Sequence, residues 1–289
     1  MNAVRDEKEK DAGAPIGWPL GVLLVRAGRL TEIDVSRVLV AQREQNLQFG
    51  EAAQRMGLVT EDDVQRALAL QFGYTYPPEN DCVLDASLVA FHHPTSPEAE
   101  AMRTLRGRLM LQWSEEQHKT VAVLSSHSTA DSGFLAGNLA IAFAQLGRHT
   151  LLIDANLRSP TQSKRFGIDG REGVTSVLAR GSPFLEAVAR VTGLANLALL
   201  PAGPMAPNPH ELLSSDAFAT LIDMAKARFE FVIIDTAPLL DTSDAQMVAA
   251  RAGSCIVAVT RHIDSVADVT QVKALVEAAN ATLIGAVLR

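Results

Sequence analysis

Residues 121–147, VAVLSSHSTADSGFLAGNLAIAFAQLG, decide how this chain is to be read. An apolar run ends in Ser125, a loop of small residues follows, and from about residue 133 small and apolar side chains recur at helical spacing. Strand, small-residue loop and helix in that order form the setting in which backbone N–H groups and a helix N-terminus cradle phosphate oxygens. Around it the pattern repeats. Short apolar runs at 120–125, 149–153, 197–200, 231–235, 255–259 and 282–288 alternate with helical segments expected near 133–147, 210–228, 243–252 and 264–279. Apolar strands separated by helices predict an α/β domain, a parallel sheet with helices on both faces. Ligands of such sheets gather at the C-terminal ends of the strands.

The texture is different upstream. Residues 1–15 (MNAVRDEKEKDAGAP) read as a flexible lead-in, and 16–76 as a small all-α domain built from a tandem repeat. Leu20, Gly21, Leu24, Gly28, Val35, Leu39 and Gln42 recur twenty-nine positions later as Phe49, Gly50, Ala53, Gly57, Val64, Leu68 and Gln71. Thr31 and Thr60 each precede acidic residues and should cap the longer helix of each unit. Residues 77–95, containing Pro and Asp, read as a linker, followed by a helix from about 97 to 112 within the α/β domain at 96–289.

Composition narrows the function. The 289 residues are 47% hydrophobic and 20% charged, with a net charge of 26 − 33 = −7. Such a chain buries a core and has no global attraction to nucleic acid or anionic lipid. Cys82 and Cys255 lie too far apart for a metal or redox motif, no metal site is expected, and the charged N-terminus lacks a signal-peptide core. No apolar run is long enough to span a membrane, so a cytoplasmic protein without a transmembrane segment is expected.

The α/β half resembles the bacterial tyrosine kinases of capsule and exopolysaccharide assembly, relatives of the MinD/ParA-type nucleotide-binding proteins with a P-loop NTPase-like fold of the deviant Walker type. LLIDANLRSP at 151–160 resembles the family's D-x-D-x-R motif, and FVIIDTAPLLDTSDA at 231–245 its Walker B strand. LLPAGPMAPNPHELLSS at 199–215 is similar to the connection between them. Glu100, Arg103 and Arg106 reproduce the E-x-x-R-x-x-R pattern of ring oligomerisation, although a plain solvated ion-pair face would use the same spacing. The N-terminal repeat resembles the small domain of type II secretion and type IV pilus ATPases.

The resemblance places G-x-G-K-[ST] on Thr129, Ala130, Asp131, Ser132 and Gly133. The lysine is then Ser132, and the magnesium-holding hydroxyl is Gly133, unless Ser132 substitutes after a one-residue shift. Asp131 adds a negative charge at the phosphates. Asp154 and Asp235 keep the acidic positions, as catalytic remnants or as caps of the following turns, while the second aspartate of D-x-D is Asn156. A charge-assisted hydrogen bond contributes about 1.5–3 kcal/mol, and losing a transition-state stabiliser costs on the order of 10²–10³ in rate. Phosphoryl transfer rests almost wholly on positioning and charge, so ordinary kinase activity is not expected. The resemblance implies a tyrosine-rich tail as the autophosphorylation substrate, which is not expected here: the tyrosines of this sequence are Tyr74 and Tyr76, and Arg289 follows directly on the last apolar run.

The resemblance therefore implies a catalytically degenerate kinase-like protein that requires no cofactor and keeps at most a weak affinity for ATP or ADP with Mg²⁺. It would form homo-oligomers and sit peripherally at the inner membrane through a chain-length-determinant copolymerase or an active kinase paralogue. Two alternatives stand beside it: an active tyrosine autokinase, and a regulatory module responsive to cyclic di-GMP. For the latter the repeat has the matching spacing, 19–42 and 48–71, with Leu20, Gly21, Gly28, Gln42, Gly50, Gly57 and Gln71 in motif positions. Pro19 and Gln48, however, stand where that motif opens with arginine.

Overall fold

The computed structural model describes residues 17–71, 84–113, 119–127, 131–169 and 171–289. The chain divides into two compact units, a small helical one reaching to Tyr76 with His93–Thr95, and an α/β one comprising Pro77–His92 and Ser96–Arg289.

In the helical unit, α1 (Leu20–Arg26) and α2 (Glu32–Gln45) are repeated as α3 (Phe49–Arg55) and α4 (Glu61–Gln71). The duplication extends to atomic detail. Thr31 Oγ1 accepts from Asp34 N at 3.2 Å while Thr31 N donates to Asp34 at 3.1 Å. Twenty-nine residues on, Thr60 and Asp63 make the same reciprocal pair at 3.2 and 2.9 Å. Both turns close on a glycine at positive φ, Gly28 at 69° and Gly57 at 67°, where a Cβ would be strained. A Cβ on Gly21 would meet Phe49 and Val35, and one on Gly50 would meet Leu20 and Val64, the equivalent pair. These two glycines let the helices cross around a core of Leu23, Leu24, Val38, Ala52, Ala53 and Val64.

The α/β unit opens with α5 (Val89–His92) and α6 (Pro97–Gln112), then runs β1 (Lys119–Ser125), α7 (Ser132–Ala144), β2 (Thr150–Asp154), α8 (Gln162–Arg165), α9 (Val174–Arg180), α10 (Phe184–Ala187), β3 (Ala189–Arg190) and β4 (Leu197–Leu200). It continues through α11 (Pro209–Ser214), α12 (Asp216–Arg228), β5 (Phe231–Asp235), α13 (Asp244–Ala252), β6 (Ser254–Val259), α14 (Val266–Ala278) and β7 (Thr282–Leu288). The seven strands lie in the order β3-β4-β2-β5-β1-β6-β7, all parallel except β3 against β4. The parallel α/β architecture expected from the sequence is therefore present, with all six apolar runs as strands. Successive residues of β1 feed opposite faces: Ala122 and Leu124 pack in one apolar layer, Val121 and Val123 in the other.

Three local readings need correction. The span 77–95 is no simple linker in its described part, because Leu88 and Phe91 are fully buried in the α/β core. Asn138 of α7, also buried, fastens this segment by accepting from Ala90 N at 2.8 Å and donating to Ser87 O at 3.0 Å. The single helix expected at 210–228 is two, because Ser215 adopts an extended backbone (ψ 158°) and its hydroxyl caps α12 by accepting from Phe218 N. The antiparallel β3 has two residues, too few to leave a periodic signal. Cys255 is fully buried on β6, and burial pushes its thiol up to about 12, as for an inert core cysteine. Cys82 lies outside the described residues, as does the lead-in at 1–15.

Candidate functional site

A cavity of about 450 Å³ opens at the C-terminal ends of β1, β2 and β5, lined by Ser125, Asp131, Ser132, Gly133, Asn156, Arg158, Asp235 and Asp241 among others. This is where strand-end loops of a parallel sheet converge. Asp154 and Asp235 stand side by side as the last residues of the paired strands β2 and β5. Their carboxyls are fully buried.

The two aspartates do different work. Asp154 accepts from the backbone N–H groups of Asn156 at 3.2 Å, Thr161 at 3.1 Å and Gln162 at 3.0 Å. It thereby ties down the loop after β2 and the start of α8, which is the capping role. Asp235 caps nothing. Its carboxylate accepts from Ser132 Oγ at 3.2 Å and from Gln162 Nε2 at 2.7 Å, joining the start of α7 to α8. Burial pushes both carboxyls above the ordinary carboxylate range, and the charge of Asp235 adds to the rise at Asp154.

Asp131 is not the loose negative charge that the sequence implies. It is the N-cap of α7, accepting from Phe134 N at 2.9 Å, and Arg165 Nη2 grips both of its oxygens at 2.8 Å. The same arginine donates to Ser87 at 2.7 Å. A side-chain carboxylate thus occupies the helix N-terminus that would otherwise attract a phosphate. The opposite wall is fixed by Arg158, which forks onto the buried Asp244 at 2.6 and 3.2 Å. Arg158 is the one cation among the described lining residues. His127, at the exit of β1, meets Asp241 at 3.3 Å, and this hydrogen bond raises its pKa.

The structure thus brings Asp131, Ser132, Gly133, Asp154 and Asp235 to one place; Thr129 lies outside the described residues. A Cβ on Gly133 would come 3.2 Å from Asp235 Oδ2, so this position does face the acidic group, but it carries no hydroxyl. With no lysine, a carboxylate on the helix N-terminus and an amide against Asp235, the described residues do not fit a magnesium-bound triphosphate. Sequence reasoning missed Gln162, Arg165 and the Arg158–Asp244 pair, whose partners lie 73, 34 and 86 positions away. Nothing in local spacing announces such contacts.

Other candidates are spread elsewhere. On α6, Arg103 pairs with Glu100 at 2.5 Å, whereas Arg106 donates to Ala142 O of α7 at 2.5 Å and so serves packing within the chain. In the repeat, Gly21 and Gly50 are consumed by helix contacts, and Gly28 and Gly57 by turns. Leu20 packs on the repeat core, the Gln42 carbonyl accepts from Leu47 N, and that of Gln71 from Gly17 N. No helix among the described residues is long and apolar enough to cross a membrane.

Comparison with known proteins agrees with this geometry. No family model matches the chain. It is 32% identical over 205 residues to the tyrosine-protein kinase YwqD of Bacillus subtilis, covering 71% of this chain and 86% of that protein. The crystal structure of the chimerical protein CapA2B2 superposes with a TM-score of 0.66 at 33% identity, covering 79% of this chain and 98% of that one. The Mg-ADP complex of the septum site-determining protein MinD from Pyrococcus horikoshii, at 20% identity, shares the fold, with a TM-score of 0.52 over 59% of this chain and 69% of that one. With the parallel sheet, the strand-end aspartates and these similarities in place, the chain belongs to the family of bacterial tyrosine-protein kinases.

Proposed function

We propose that this chain is a catalytically degenerate member of that family, acting as an adaptor or regulator in exopolysaccharide assembly. It docks on a membrane chain-length determinant or on an active kinase of the same family, and phosphorylation is left to that partner. Its place is peripheral to the membrane, through the partner. One observation carries this reading: an intact sheet and strand-end cavity surround a phosphate position where Asp131 replaces a ligand's charge and no lysine is present. Without a cation at the transferring group, the electrostatic stabilisation that dominates phosphoryl transfer is gone.

The competing reading, an active autokinase, draws on Ser132, whose hydroxyl stands 3.2 Å from Asp235. Calorimetric titration with ATP and Mg²⁺, followed by radiolabel transfer, separates the two. The adaptor reading expects no binding in the micromolar range and no label. Micromolar binding with label on Tyr74 or Tyr76 overturns it.

A further inference from the structure

We propose that His127 is a proton-operated latch: its imidazolium ties the loop after β5, one wall of the strand-end cavity, to the first turn of α14, and loss of the proton releases that wall.

The placement of two carboxylates carries this. Asp241, in the loop after β5, lies 3.3 Å from His127 Nδ1, and Asp268, in the first turn of α14, lies 3.7 Å from Nε2. Each ring nitrogen thus faces a carboxylate from a different element. Carboxylates only accept hydrogen bonds, and a neutral imidazole carries a single N–H, so in that form its lone pair is turned on a carboxylate oxygen. The imidazolium has a donor on each nitrogen and serves both partners at once. The hydrogen bond with Asp241, against the opposing pull of burial and joined by the charges of Asp241 and Asp268, accordingly raises the His127 pKa.

Asp268 is prepared for this role by its own cap. Its Oδ2 accepts from Ser265 N at 2.8 Å and from Ser265 Oγ at 2.7 Å, and its Oδ1 is the atom that faces His127. Hydrogen bonds from Ser265, joined by the interaction with His127, hold its carboxyl below the ordinary range, so it keeps its charge while His127 titrates. Asp264, between β6 and α14, is directed elsewhere: it accepts from Thr260 N at 2.6 Å and pairs with the Ser126 hydroxyl.

The latch closes on a loop already registered to the exit of β1. Leu239 N donates to Ser125 O at 2.8 Å and Leu240 N to Ser126 O at 3.0 Å. Asp241 follows at once, and it lines the cavity. With His127 protonated, Asp241 and Asp268 share one cation. With His127 neutral they compete for one N–H, and the wall loses its tie to α14. The side chains of His127 and Asp241 are 41% and 46% exposed, so the contact gains little energy but responds directly to solvent pH. Because folding raises the His127 pKa, the tie is complete below the ordinary histidine value of about 6.5 and is lost as pH rises through the raised one.

The test is an NMR pH titration of the full-length chain, with the His127 resonance assigned by its absence in His127→Gln. The His127 midpoint should lie above the ordinary value and should fall in both Asp241→Asn and Asp268→Asn. Amide exchange of Leu239 and Leu240 reports the wall itself, taken as the ratio of wild type to His127→Gln at each pH so that intrinsic exchange cancels. Below the midpoint wild type should be protected about two- to fivefold more, the scale of a partly exposed ion pair, and above it equally. A midpoint at or below the ordinary value, or one that either carboxylate variant leaves unmoved, overturns the inference. So does a protection ratio that stays constant through the titration. If Asp268→Asn fails to fold through loss of its cap, the wild-type midpoint and Asp241→Asn still decide.

Discussion

The helical repeat and the strand-end site use glycine for opposite ends. In the repeat, Gly21 and Gly50 are each crowded by an apolar side chain from their own unit and one from the other. In the site, Gly133 is crowded by polar groups, Thr161, Gln162 and Asp235. The first arrangement is a close approach of helices, held by dispersion and burial; the second is a buried hydrogen-bond network. The lesson is that a glycine can keep a fold compact in one region and, in another, leave room for a buried polar network.

The contrast can be broken at its strongest point first. Gly133→Ala sets a Cβ 2.8 Å from Thr161 Oγ1 and 3.0 Å from Gln162 Nε2, so both side-chain ends must shift and the hydrogen bond to Asp235 is strained, which should cost about 1–3 kcal/mol. Urea denaturation followed by fluorescence of Trp113, in a Trp18→Phe background, would measure it. A loss below about 1 kcal/mol would show that the network is not under tension from the missing side chain.

Gly50→Ala is the matched change in the repeat. Its Cβ would sit 2.7 Å from Val64 Cγ1, against 3.0 Å from Phe49 Cζ for Gly21→Ala. Overpacking should cost about 1–3 kcal/mol for Gly50→Ala and less for Gly21→Ala, read through Trp18 in a Trp113→Phe background. Equal costs would mean that the two halves relax alike despite the different contacts.

A pH series sharpens the same comparison. Folding raises the pKa of both Asp154 and Asp235, so the folded state binds more protons than the unfolded one above the ordinary carboxylate value. The stability this confers is fully present below that value and is lost as pH rises through neutrality. Melting of the α/β unit should therefore drop between about pH 5 and pH 8, and Asp154→Asn should flatten the slope. The helical unit offers a counter-case. Asp63 is lowered by the hydrogen bonds from Thr60 and by Arg29, against the opposing pull of burial, so its contribution fades only on acidification.

The smallest effect tests the repeat itself. Thr31→Ala and Thr60→Ala each remove one of two equivalent caps and should each cost about 1 kcal/mol. Hydrogen exchange in α2 and α4 would report them separately. A twofold difference between them would show that the duplication preserves geometry without preserving energetics.

Much of this was legible in the chain itself. Short apolar runs and periodic helical segments predict a parallel α/β sheet because burial on both faces forces continuous hydrophobicity onto its strands. The repeat announces itself through Gly28 and Gly57 and the two threonine caps, since turn conformation and capping depend on residues within a few positions. The positions of Asp154 and Asp235 at strand ends were likewise readable. What only the tertiary structure decided is how the buried polar groups around the strand-end cavity are satisfied. Asp131 with Arg165, Gln162 with Asp235, and Arg158 with Asp244 each join residues far apart in sequence. Hydrogen-bond partners of buried groups are chosen by which loops the sheet brings together, and no local periodicity encodes that choice.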